Sequence, residues 1–188
     1  MNEIQLSMQL GFSALFFLMA ITFDLSRQKI PNKLTLIAVV IGFSLNAYFS
    51  QMSGIITALF GFSLAFLILF PTFIFRILGA GDIKLMMGIG ALMGPQLLLW
   101  SLAYGIVAGT VTSVALVIWK TGFNGIIYTL KRYWDCIYMR KYFAPEEGEA
   151  AGQRVPYAPA LALGWLWACS LDPAINNLYV SYSHYISS

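Results

Sequence analysis

The chain has 188 residues, of which 59% are hydrophobic and only 10% charged, with 14 Phe, 10 Tyr and 5 Trp; a soluble domain carries about 25% charged residues, so most of this surface does not face water. A net charge of +3, two cysteines and one histidine give no support to a nucleic-acid partner and fall short of the four ligands of a structural zinc site, so no metal and no cofactor is expected. At about 20 residues per membrane-spanning helix, the length suits an all-α, polytopic membrane protein of about six transmembrane helices with short connections.

Apolar runs cover residues 6–23, 34–50, 54–75, 85–101, 102–119 and 156–171. The N-terminus, MNEIQLSMQL, has no basic region and no small-residue cleavage site after it, so the first run is expected to stay in the membrane. Ile30-Pro31-Asn32 is a rigid turn between the first two runs. The fourth and fifth runs are nearly continuous, and Gly94-Pro95-Gln96 is the predicted turn between them. That turn moves the boundary at 101 back toward 95 and shortens the fourth span. Gly90 with Gly94, and Gly105 with Gly109, are spaced for close helix approach in lipid.

Residues 121–155 form a loop between the fifth and sixth runs. Within 121–143, Ile126, Ile127, Leu130, Trp134 and Ile137 recur at near-helical spacing among basic and aromatic residues, which predicts an amphipathic helix lying in the membrane interface. Anchoring the loop is one role for it; contact with a substrate is the other. The Glu146-Glu147-Gly148-Glu149 run reads as solvated loop. Pro156-Tyr157-Ala158-Pro159-Ala160-Leu161 opens the sixth run with two prolines. It fits a Pro-initiated helix, and equally a segment whose unpaired backbone groups hold an extended substrate strand.

Charge fixes the orientation. With the N-terminus outside, the first inner loop carries Arg27, Lys29 and Lys33, the second Arg76 and Lys84, and the third Lys120, Lys131, Arg132, Arg140, Lys141 and Arg154. Together these are all 11 Lys and Arg of the chain. Basic residues mark cytoplasmic loops, so the expected topology is N-out and C-out. Cys136 and Cys169 then lie in different environments, and no pairing between them is expected.

Acidic residues at a bilayer are costly, and those retained tend to be paired or functional. Of the eight, only Asp24 and Asp82 end apolar spans beside short loops, on the same side and at the same depth. Singly, each has a structural reading: Asp82 as an N-cap with Lys84 nearby, Asp24 as a turn residue beside Arg27. Together they suit another chemistry. Two carboxyls within hydrogen-bonding range cannot both ionise easily and share a proton; one then activates water while the other protonates a scissile carbonyl, the pair titrating as a unit. Gly79 and Gly81 before Asp82 permit close backbone approach of an extended peptide.

FDLSRQKIPNKLT, GAGDIKLMMGIGALMG and RVPYAPALALG resemble, in order and over nearly the whole chain, the three signatures of the type IV prepilin peptidases, a family of GxGD-type aspartyl proteases. The resemblance implies that Asp24 and Asp82 are catalytic, and that 1–188 is a single membrane-embedded peptidase domain. Gly79, Gly81, Lys84, Pro31, Asn32, Pro156 and Pro159 fall in the same signatures and are expected to bind substrate or support the site. The implied reaction removes the short basic leader from prepilins or pseudopilins at the cytoplasmic face of the bacterial inner membrane. Implied partners are those substrates, the lipid bilayer and the pilus assembly machinery. The sequence looks like the short, peptidase-only form found with tight-adherence (Flp) pili, without the paired-CxxC domain of the two-activity members, so N-methyltransferase activity is not expected. Pro159-Ala160-Leu161 also spells the PAL motif of the presenilin-type proteases, a likeness of mechanism only. Two readings of other classes compete: a non-enzymatic component of a pilus or secretion assembly with both aspartates as caps, and a small-molecule transporter. The transporter is disfavoured by the absence of charge at mid-span.

Overall fold

The computed structural model describes residues 3–74, 78–139 and 156–187. Arg76, Arg140, Lys141, Arg154 and the acidic run at 146–149 lie outside the described residues. Every described element is a helix: α1 Glu3–Arg27, α2 Asn32–Ile74, α3 Ala80–Met93, α4 Pro95–Met139, α5 Ala158–Leu171 and α6 Pro173–Ser187. The chain divides into two compact units, residues 1–107 with 156–188, and residues 108–155.

In the first unit, α2 is two helices in sequence. Gln51 sits at φ 50°, ψ −131°, outside helical backbone geometry. The rings of Phe43 and Phe62 lie 6.1 Å apart, whereas nineteen residues of unbroken helix would separate them by roughly 28 Å. The halves 32–50 and 52–74 therefore fold back on each other, where the sequence separates the second run from the third. Both halves pack on α3. A Cβ on Gly42 would stand 2.9 Å from the Ala91 carbonyl carbon, and one on Gly61 would overlap the Gly90 carbonyl, so the backbones touch where side chains are missing. Gly105 of α4 and Gly164 of α5 meet in the same way. Thus Gly90 and Gly105 serve the close packing their spacing predicts.

α3 is the central element: Leu85, Met86, Ile89 and Leu92 are wholly buried, as expected of a helix apolar on all sides. It ends at Gly94, whose φ of 80° suits glycine, and Pro95 starts α4. The fourth run therefore closes at the predicted Gly94-Pro95 turn and not at 101, and the fifth begins at 95 and not at 102. Pro95 has no N–H for the Ala91 carbonyl. Asn46 of α2 supplies the donor instead, its Nδ2 reaching Ala91 O at 2.8 Å and Leu92 O at 3.1 Å, while Gln9 Nε2 of α1 donates to Asn46 Oδ1 at 3.2 Å.

The exterior is apolar. Leu18, Leu36, Val40, Phe60, Leu67, Trp100 and Ile106 are exposed, while Gln5, Gln9, Ser13, Asn46 and Ser101 are buried. Polar inside and apolar outside is the distribution for a lipid solvent, in which polar groups pair across helices. Glu3–Arg27, Asn32–Ile74 and Pro95–Lys120 are long and apolar enough to cross a membrane, and Ala158–Leu171 is a shorter apolar helix. α6 was not expected from the apolar pattern; Asp172 caps it, its Oδ1 accepting the Ala174 N–H at 2.9 Å.

The second unit holds the rest of α4. Its helical path breaks at Gly122 (φ 68°, ψ −179°) and continues to Met139, where the spacing predicts a helix. Leu130, Trp134 and Tyr138 are exposed there, and the buried Arg132 guanidinium lies 4.8 Å from the Tyr133 ring centre. The side chains of Ile126 and Ile137 lie outside the described residues.

Candidate active site

Four chain segments converge at one end of the first unit. α1 finishes at Arg27 and Gln28 turns the chain with φ 51°, its N–H donating to Asp24 O at 2.9 Å. Asp24 is thereby held in the last helical turn. Ile30 is buried, and the Pro31 carbonyl accepts the Leu34 N–H at 3.1 Å, so the proline sits where its missing donor costs nothing. The turn lies against α3 because Gly81 has no side chain: a Cβ there would meet Ile30 Cβ at 3.0 Å. The glycine approach expected for a substrate peptide is therefore used, at Gly81, by the chain's own Ile30.

Asp82 enters from the opposite direction, in the first turn of α3. Gly79 is the N-cap, in extended conformation (φ −75°, ψ 151°), and Asp82 is the third helical residue. The reading of Asp82 as N-cap is corrected on this point: its side chain reaches backward, Oδ2 accepting the Gly79 N–H at 3.2 Å. Lys84 Nζ donates to Asn32 Oδ1 at 3.0 Å, tying the start of α2 to that of α3. The fourth segment is the start of α5, where the Ala158 N–H donates to Asp24 Oδ2 at 3.0 Å.

Asp24 and Asp82 are 7% and 8% exposed and open onto one cleft of about 610 Å³, lined by Asp24, residues 27–32 and residues 79–82. Asp82 Oδ1 is buried without a hydrogen-bond partner. This residue precedes the apolar run that starts at Leu85 and so stands outside the spanning stretch. Burial first, and the nearby Asp24 charge second, push its carboxyl up to about 6, against the opposing pull of the Gly79 N–H. Two carboxyls in one cleft, one of them held above the usual range, are suited to carrying a single proton between them.

The cleft thus gathers Asp24, Asp82, Pro31, Asn32, Gly79 and Gly81, and Lys84 joins its rim through Asn32. Pro156 and Pro159 do not line it; they flank Ala158, whose amide reaches the site from behind Asp24. The sequence offered unpaired backbone groups of this segment to a substrate strand; the Ala158 N–H goes instead to Asp24. Arg27, Gln28 and Lys29 also line the cleft; the sequence marked Lys29 only as loop charge, and Arg27 also as a partner for Asp24.

No curated protein and no solved structure matches the chain. The model of the type IV leader peptidase family matches residues 11–114, more than half of the sequence and a stretch that includes both aspartates, the Pro31 turn and Gly79–Lys84. The chain belongs to the type IV leader peptidase family.

Proposed function

We propose that this leader peptidase is an aspartyl endopeptidase of the GxGD class, with Asp24 and Asp82 as its catalytic pair. Its substrates are prepilins or pseudopilins, cut behind their short basic leader at the cytoplasmic face of the inner membrane. The observation that carries this reading is the burial of two carboxyls against one cleft. In the singly protonated pair, the carboxylate takes a proton from a water whose oxygen attacks the scissile carbonyl carbon. The carboxyl gives its proton to the carbonyl oxygen. The resulting gem-diol then expels the amine as the C–N bond breaks and the nitrogen is protonated. The pair returns to one proton, and no oxidant or metal enters the balance.

Topology supports the same reading. Six crossings follow if the two halves of α2 count separately and the part of α3 from Leu85 on and α5 are short spans. The first inner loop of that topology then supplies Arg27 and Lys29 to the cleft, and the inner face is where a basic leader, itself resistant to translocation, remains.

The test is processing of a prepilin by purified protein in detergent or liposomes. Asp24→Asn and Asp82→Asn keep the side-chain shape but cannot pass the proton, and each is expected to slow cleavage by about 10²–10⁴-fold. Wild-type processing by either variant would overturn the aspartyl reading.

A further inference from the structure

We infer that the main-chain N–H of Ala158 is a positioning group of the active site, fixing one oxygen of Asp24 so that the other is left for the cleft. The inference rests on the aspartyl reading above and adds to it a donor outside both aspartate signatures.

The start of a helix leaves its first N–H groups without intrahelical acceptors, and a side chain at the N-cap usually takes one of them at the second or third position. α5 lacks that arrangement. Its N-cap is Tyr157, which makes no side-chain cap bond, and its second residue is Pro159, which has no N–H to offer. The donor at the first position, Ala158, is taken instead by Asp24, 134 residues away in sequence. Ala158 is wholly buried, so its small side chain lets the backbone come this close. Phe17 of α1 and Trp165 of α5, with ring centres 5.3 Å apart, hold the two helices together further along.

The second aspartate is built alike. Asp82 Oδ2 is taken by the Gly79 N–H while Oδ1 has no partner. Each carboxyl is therefore pinned through one oxygen by a backbone amide at a helix start. Pinning through one oxygen fixes the side-chain rotation, and preorganised groups spend no reorganisation during reaction. The charged groups sharing the cleft with Asp24 are Asp82 from α3, Arg27 from its own helix and Lys29 from the turn; the described start of α5 brings no charge.

The test replaces Ala158 by lactic acid through nonsense suppression in the full chain, converting the 157–158 amide to an ester; this deletes the N–H and weakens the Tyr157 carbonyl that accepts the Leu161 N–H. Expected is a fall in kcat of about 10-fold or more with little change in KM, the pattern for loss of a group that acts on the transition state. An ester at the exposed Leu163 weakens α5 without touching Asp24, and it leaves kcat where it is. Unchanged kinetics with the 158 ester, or an equal fall in kcat with the 163 ester, overturns the inference. If Asp24→Asn is inactive in that same assay, only the positioning role has failed; if Asp24→Asn is fully active, the aspartyl reading has failed with it.

Discussion

Asp24 and Asp82 reach one cleft by opposite routes, one from the last turn of α1 and the other from the first turn of α3. The difference has an electrostatic consequence. Asp82 is raised chiefly by burial and secondarily by its neighbour, so neutralising the neighbour removes only the smaller cause. Asp24→Asn is therefore expected to bring the Asp82 carboxyl down from about 6. Less repulsion eases ionisation, and burial still opposes it. An infrared titration of ¹³C-labelled aspartate checks this, and a rise in the variant would contradict it. At this scale the sequence was informative about which carboxyls share a membrane face, because both end apolar runs beside basic loops. It was silent on how each is held. Backbone donors such as the Gly79 and Ala158 amides have no letter of their own, and Asp82 three residues beyond a helix cap looks the same as Asp82 at the cap.

Among the elements, α3 carries the most instructive joint. Its C-terminal end is stopped by Gly94-Pro95, a break plain in the sequence, but the proline strips the Ala91 carbonyl of its helical donor. Asn46 restores that bond and also reaches Leu92 O and Gly42 O. The neutral amide inside an apolar run went unread because only charges were sought at mid-span. Asn46→Leu leaves buried carbonyls unpaired, for which about 1–3 kcal/mol is the ordinary cost, and cross-helix bonds in membranes average nearer 0.6 kcal/mol. A lowered thermal midpoint in detergent is thus expected, with cleavage at low temperature largely kept. About 15 Å of α3 lies between the carbonyls that Asn46 bonds and Asp82 at the cleft. An unchanged midpoint would show the amide to be dispensable. α6 was missed for a related reason: with the apolar runs as guide, its polar sequence gave no signal, although Asp172-Pro173 is a readable helix start of N-cap and N1 proline.

Among the described residues of the first unit, leucines and phenylalanines stand on the exterior, while the amides of Gln5, Gln9 and Asn46 are buried. The apolar runs made the all-helical class legible, and the fold at Gln51 falls in the gap between two of them. Orientation rests on charge, and it is directly measurable. In a variant whose native cysteines are replaced, a membrane-impermeant maleimide is expected to label Ser53→Cys in intact cells, beside the Gln51 reversal. Lys33→Cys, at the cleft end of α2, should label only after the membrane is opened. The reverse pattern would invert the topology and place the cleft on the wrong face for a basic leader.

The Ala158 amide also sets an order of events in biosynthesis. Both aspartates leave the ribosome well before the residue that pins Asp24, which lies 134 residues behind it. A nascent chain holding only α1 to α3 carries both carboxyls with one of them still free to rotate. If Asp24 acts as proposed, proteolytic competence would therefore await α5.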